Sequence, residues 1–244
     1  MNLHLVEMPL SLRDLHSWAG QRNIGHGLLD EGLMLHHLLG EAFGPAALQP
    51  FRLLVTPRAR GGTLYAYSAV PAEKLRAMAA ALLGPSETEV LSLDAMRSIA
   101  RPENTWHEGL RLGFDLKCRP VVRLASPLQS TETQFAKGAE IDAFLSETLR
   151  NDHARTREAV YFDWLAARLE PAADLDRDAS RLHQFRRVRS LRGGRRVEGP
   201  EAVLHGTLTV RDPEGFACLL ARGVGRHRSY GYGMLLLRPA QKKG

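Results

Sequence analysis

Cysteine is scarce in this chain: Cys118 and Cys218 are the only two in 244 residues, and no CxxC spacing occurs. A disulfide framework and a thiolate zinc site are therefore not expected, and a reducing, cytoplasmic setting is. There is no HExxH motif, and His36 and His37 are adjacent, so they cannot both meet one ion from the same helix face. No metal site and no cofactor is expected. No apolar run approaches the ~20 residues that a membrane span needs. The first residues, Met1-Asn-Leu-His-Leu-Val-Glu, lack the basic start and apolar core of a secretion signal, so none is expected. The densest glycine stretch does not end in Gly-Lys-Ser/Thr and precedes a strand instead of opening a helix after one. Neither a Walker loop nor a dinucleotide fingerprint fits it.

What the chain does have is basic charge and room for a core. Lys and Arg number 33 against 27 Asp and Glu, a formal +6, and 44% of residues are apolar. A basic balance suits a polyanionic partner but says nothing of fold. The distribution is more telling. Six arginines, Arg186, Arg187, Arg189, Arg192, Arg195 and Arg196, fall within 11 residues and flank Gly193-Gly194, a hairpin turn signal. A solvated basic loop is one reading. An element lying along a nucleic-acid backbone is the other, and the complete preference for arginine favours it, because the planar guanidinium matches phosphate.

A second cationic stretch is Gly223-Val-Gly225-Arg226-His227-Arg228-Ser229-Tyr-Gly231-Tyr-Gly233. Glycines there permit positive φ and close approach of a ligand, and successive amides favour anions. A purely structural turn is the alternative.

Hydrophobic periodicity gives the element order. Leu3 to Met8 alternates as a strand. Residues 11–28 read as a loop with a short helical turn near Leu12–Trp18. Asp30 is a helix N-cap, and Leu35, Leu38, Leu39 and Ala42 mark one face before the Gly44-Pro45 stop. Phe51–Val55 and Thr63–Val70 pair around Gly61-Gly62. A helix follows Pro71 as far as Gly84-Pro85, and Glu89–Leu93 is read as a fourth strand. The order β-α-β-β-α-β is that of a ferredoxin-like domain. The second half reads similarly: a long strand over Leu110–Leu124 interrupted by Pro120, a helix over Glu158–Leu169, the basic hairpin, and a strand over Ala202–Val210. A helix behind Asp212 and a last strand over Tyr232–Leu237 complete it. Two tandem α+β domains of this kind are expected, over 1–100 and 108–244.

The C-terminal loop resembles that of the CRISPR repeat-processing endoribonucleases of the RAMP superfamily, most closely the CasE (Cse-type) subfamily of type I-E systems. The shared pattern is Gly-aliphatic-Gly, a basic residue and Ser, then Gly-x-Gly-aliphatic-Leu, here Gly223, Val224, Gly225, Arg228, Ser229, Gly231, Gly233, Met234 and Leu235. The lead-in from Leu204 to Glu214 is also similar.

The resemblance implies two ferredoxin-like domains and a hairpin region that holds the repeat's RNA stem. It implies a glycine loop that contacts RNA and a catalytic His on the first long helix. His36, with Leu39 and Ala42 after it, fits that place and flanks the apolar stripe, whereas His37 points nearly opposite. An imidazole can move protons near neutral pH, as metal-free attack of a 2′-hydroxyl requires. The sequence departs from some members at Leu33 and Glu41, where they carry Tyr and Lys. His26, His227 and Lys137 are rival or assisting groups. The expectation is a metal-independent endoribonuclease that makes crRNA, leaves a 2′,3′-cyclic phosphate and stays in a type I-E-like surveillance complex. A non-catalytic crRNA-binding subunit is the alternative, and a DNA-binding regulator is weaker because no helix-turn-helix signal is present.

Overall fold

The computed structural model describes residues 2–129, 133–151, 155–192 and 194–240, without the side chains of Arg192 and Arg195. The first half contains β1 (Leu3–Ser11), α1 (Leu12–Gln21), α2 (Glu31–Phe43), β2 (Phe51–Leu54), β3 (Gly61–Ser68), α3 (Ala72–Leu82), α4 (Pro85–Val90) and β4 (Arg97–Arg101). Its antiparallel sheet has the order β2-β3-β1-β4. The second half holds β5 (Arg111–Cys118), β6 (Val121–Arg123), β7 (Leu128–Gln129), β8 (Gln134–Phe135), β9 (Glu140–Asp142), α5 (Ala143–Arg150), α6 (Arg157–Leu169), β10 (Ala173–Arg192), β11 (Arg195–Val210), α7 (Pro213–Arg222) and β12 (Leu235–Pro239). Its main sheet runs β10-β11-β5-β12. Counting strands within each half, both sheets have the ferredoxin-like order 2-3-1-4, with helices covering one face.

Each half has its own core. Val6, Met8, Leu15, Trp18, Leu35, Leu38, Phe43, Phe51 and Leu75 fill the first. Phe114, Leu116, Tyr161, Trp164, Leu165, Leu204, Phe216 and Leu220 fill the second, which also takes in Leu3 and Tyr67 from the first half. Each such side chain contributes roughly 1.5–3 kcal/mol when removed from water. The Tyr67 hydroxyl donates to the Leu235 carbonyl at 3.0 Å, and Arg52 of β2 pairs with Asp115 of β5 at 3.1 Å. The halves are thus joined across buried polar contacts as well as apolar ones.

Several elements differ from the reading of the sequence. Residues 12–21 form a full helix. Ser11 caps it by accepting from the Asp14 amide, and Leu15, Trp18 and Ala19 are its buried face. Residues 85–90 are helical, and Leu91 makes only an isolated bridge to Leu10, so Glu89–Leu93 is not a strand. Pro85 suits a first helical turn, and Glu87 accepts from the Gly84 amide at 3.1 Å. The fourth strand is Arg97–Arg101, a short, largely exposed edge strand whose flanking arginines hide it from a hydrophobic count. Pro120 divides the expected long strand, and β6 leaves the main sheet to pair with β9. The last strand begins at Leu235 rather than Tyr232. Asp212 stands before α7 as expected, without a side-chain capping bond.

Among the described residues no helix is long and apolar enough to cross a membrane, and no group of three or more His, Cys, Asp or Glu side chains is placed to hold a metal ion. Cys118 is buried and Cys218 exposed, both as free thiols.

Candidate nucleic-acid interface and histidine groove

The basic segment is a long two-stranded ribbon, β10 with β11, paired as far as Arg192 opposite Arg195. This register sets Arg186 opposite Glu201 and Arg189 opposite Glu198. Glu198 receives both Arg187 and Arg189, at 3.1 and 3.2 Å, which explains how the like charges coexist. Arg186 donates to Glu201 at 2.5 Å. Glu201 is itself buried and also meets Lys117 at 3.1 Å and the Tyr232 hydroxyl at 2.7 Å. Burial opposes its charge, but Lys117, Tyr232 and Arg186 hold its carboxyl below the usual range. Burial pushes the Tyr232 hydroxyl up. Arg187, Arg189 and Arg196 are exposed, so their forks can reach a ligand. The side chains of Arg192 and Arg195 lie outside the described residues.

This ribbon forms one wall of an inter-domain groove with a cavity volume of about 960 Å³. Arg186, Arg187, Arg189 and Lys117 line it together with Leu28, Leu29, Leu53 and Val55 and with the carboxylates of Asp30, Glu31, Glu198 and Glu201. Cationic and apolar side chains in one groove suit a chain that carries both phosphates and bases. Below it lies Arg52–Asp115, joined by His205 at 2.9 Å from Asp115; burial holds the His205 imidazole below its ordinary range, with Asp115 opposing.

The glycine loop packs against residues of both halves. Gly223, Gly225, Gly231 and Gly233 all have φ of 77–82°. Gly223, Gly231 and Gly233 are buried, and a Cβ on Gly233 would lie 2.3 Å from the Val224 carbonyl oxygen. The side of these glycines where a Cβ would stand packs against Pro50, Phe51, Trp164 and the loop itself. The loop's polar side chains are also engaged. Arg226 and His227 pair with Glu140, His227 at 2.5 Å. Together they hold the Glu140 carboxyl low in spite of its burial. Arg228 donates to the Arg222 carbonyl at 2.6 Å, capping α7, and Ser229 donates to Gln49 at 3.2 Å. Of this set Arg226 is the most exposed and remains within reach of a ligand.

The loop seats its 3₁₀ turn, Arg228–Tyr230, on helix α2. Gly32 allows the approach: a Cβ there would lie 2.4 Å from the Tyr230 carbonyl oxygen. Asp30 caps α2 by accepting from the Leu33 amide at 3.1 Å, which sets the helix phase. Leu35, Leu38 and Leu39 are then buried, His36 is half-buried and His37 is exposed. The His36 and Tyr230 rings lie 4.8 Å apart, centroid to centroid. They share a second groove of about 490 Å³ with Arg22, Asn23, His26, His37, Leu191 and Gly194. Tyr230 lines both grooves, so the histidine groove opens beside the cationic one, at the tip of the arginine ribbon.

His36 thus occupies a cleft between the two halves and not packed hydrocarbon. Two groups weighed beside it do not line its groove: His227 is held by Glu140, and Lys137 is exposed in the turn before β9. His26 does line it. Tyr230, Lys117, Glu201 and Gly32 carry no mark in the sequence that singles them out. The two-residue turn would have placed Glu201 and Glu198 against the arginines; nothing local marks Tyr230 as a neighbour of residue 36.

The family model of CRISPR associated protein matches residues 3–239. The chain belongs to this family. Solved structures agree in fold with this CRISPR-associated chain. Thermus thermophilus Cse3, bound to an RNA representing a pre-cleavage complex, is 21% identical with a TM-score of 0.61, covering 98% of this chain and 100% of that one. The CRISPR-associated protein Cas6e of Escherichia coli K-12 is 19% identical with a TM-score of 0.54, over 98% and 100%. A chain of a CRISPR RNA-guided surveillance complex is 17% identical with a TM-score of 0.52, over 97% and 100%. No curated protein matches this chain.

Proposed function

We propose that this CRISPR-associated chain is an endoribonuclease that binds the stem-loop of CRISPR repeat RNA and cuts it to crRNA. The ribbon arginines Arg186, Arg187, Arg189 and Arg196, with Arg226, hold the RNA backbone. His36 takes the proton of a 2′-hydroxyl; that oxygen attacks the adjoining phosphorus and the 5′-oxygen leaves. The products are a 2′,3′-cyclic phosphate and a 5′-hydroxyl, and no metal enters the reaction. The protein then stays on its product within a type I-E-like surveillance complex in the cytoplasm.

The observation that carries this reading is the position of His36, half-buried in a groove between the two halves and beside the arginine ribbon. An imidazole is the side chain best suited to exchanging a proton near neutral pH. The descriptions of similar structures, a CRISPR endoribonuclease Cse3 bound to 19 nt RNA and a CRISPR RNA-guided surveillance complex, support it.

A denaturing gel of cognate repeat RNA with the protein in EDTA tests the reading. Cutting by the wild type and at least a 100-fold loss in His36→Ala are expected. Salt-sensitive RNA binding without any cutting would leave the chain as an RNA-holding subunit.

A further inference from the structure

We propose that His26 is the second proton-transfer group of the groove, the general acid that protonates the leaving 5′-oxygen; this rests on the nuclease reading of His36. Base and acid must reach the two oxygens on opposite sides of one phosphorus, so a single imidazole serves both poorly. The groove provides a second one. His26 lines it from the turn that follows α1, and His36 lines it from α2. The groove, at about 490 Å³, has room for a ribose-phosphate unit between its walls.

The backbone fixes where this side chain stands. His26 has φ of 47° between Gly25 and Gly27, which have φ of 90° and 80°. A Cβ on Gly25 would lie 2.5 Å from the Leu28 carbonyl oxygen, so the turn is closed tightly under the histidine. Nδ1 of His26 lies 3.4 Å from the Asn23 side-chain amide. An amide can donate to that nitrogen or, turned over, accept from it, and so can serve both the neutral ring and the imidazolium. Nε2 is left for a ligand, and the ring as a whole is exposed. The turn itself is anchored: Arg22 donates to buried Glu87 at 2.5 Å and lies over the Trp18 ring at 4.6 Å. Among the described residues, the other charged and titratable groups on the groove walls are Arg22, His36, His37 and Tyr230.

The step balances. Neutral His36 accepts the 2′-hydroxyl proton as the O2′–P bond forms; the P–O5′ bond breaks, and the His26 imidazolium gives its proton to O5′. The two rings end with their protonation states exchanged, and water restores them.

The experiment uses two repeat RNAs, one natural and one with sulfur in place of the scissile 5′-oxygen. A thiolate leaves without a proton, so the sulfur RNA removes the need for an acid. His26→Ala should cut the natural RNA about 100-fold slower or worse in single turnover. It should cut the sulfur RNA within a few-fold of the wild type, while His36→Ala loses both. An Ala variant that cuts the natural RNA normally, or loses both substrates alike, overturns the assignment to His26. A wild-type protein that cuts neither RNA overturns the nuclease reading itself. Asn23→Ala is the companion variant: it should narrow the pH range of activity, which a merely folded turn would leave alone.

Discussion

The His36 imidazole and the Tyr230 ring face each other at 4.8 Å across the joint between the two halves. One is carried by a helix of the first half, the other by a loop of the second. The contact limits the imidazole's freedom at the position where Leu33, one turn earlier on α2, cannot offer a hydroxyl or a ring.

Tyr230→Leu should therefore lower the single-turnover cleavage rate about 10-fold or more while leaving RNA affinity within two- to three-fold, since misplacement of a reacting group is costly. Tyr230→Phe keeps the ring and should remain near the wild type. Rates at saturating protein, set beside filter-binding affinities, check this; equal loss in both variants would place the effect on the hydroxyl.

Gly32→Ala should be destabilising. Its new methyl would lie 2.4 Å from the Tyr230 carbonyl oxygen, a backbone atom and not the end of a flexible side chain that could yield. A cost of about 1–3 kcal/mol is expected, as for other overpacked sites. Denaturant unfolding measures it, and Gly20→Ala, where open space surrounds the site, serves as the control.

The ribbon arginines make a salt-dependent prediction. Arg187→Ala and Arg189→Ala should each weaken RNA binding and reduce the slope of log K against log salt by about 0.7–0.9 for each phosphate that is no longer neutralised. Each removes a partner from Glu198, which is half-exposed and can turn to water, so folding should be little affected. Arg186→Ala differs, because it strips a donor from buried Glu201 and leaves Lys117 and Tyr232 to hold it.

Glu87 gives the pH prediction. Its side chain accepts from Trp18 Nε1 at 2.9 Å, and this with Ser86, its own turn and Arg22 holds its carboxyl down to about 2 against burial. A depressed carboxyl stabilises the fold above its unfolded value of 4.5, and that contribution is lost as pH falls from there toward 2. Glu87→Gln should cost about 2–3 kcal/mol at neutral pH. Acid titration of the variant, followed by circular dichroism, should show a shallower loss over that window than the wild type.

The sequence disclosed the fold wherever a pattern matched a period. The stripe of Val160, Trp164, Leu165 and Leu169 and the stripe of Leu35, Leu38 and Leu39 are buried as read. Periodicity failed where the elements are short or exposed: β4 carries Arg97 and Arg101, and α4 is a six-residue helix that buries only Glu87 and Val90. At the site, the place of His36 beside the apolar stripe of α2 was legible from the helix period, but only the family resemblance gave it a role; the arginines stood out by their clustering. The inward packing of the glycines was not legible. A glycine is chosen for what lies against it, and Pro50, Phe51 and Trp164 are distant in the chain. The same holds for His26, whose neighbour across the groove is ten residues away but reached only through the fold.

Placing Tyr230 at the wall of a groove begun by residues 22–37 also sets a time order. During synthesis the imidazoles leave the ribosome first, and their aromatic counterpart emerges only when nearly the whole polypeptide has been made. The arginine ribbon and Tyr230 both come late, so the groove's second wall is added only near the end of synthesis.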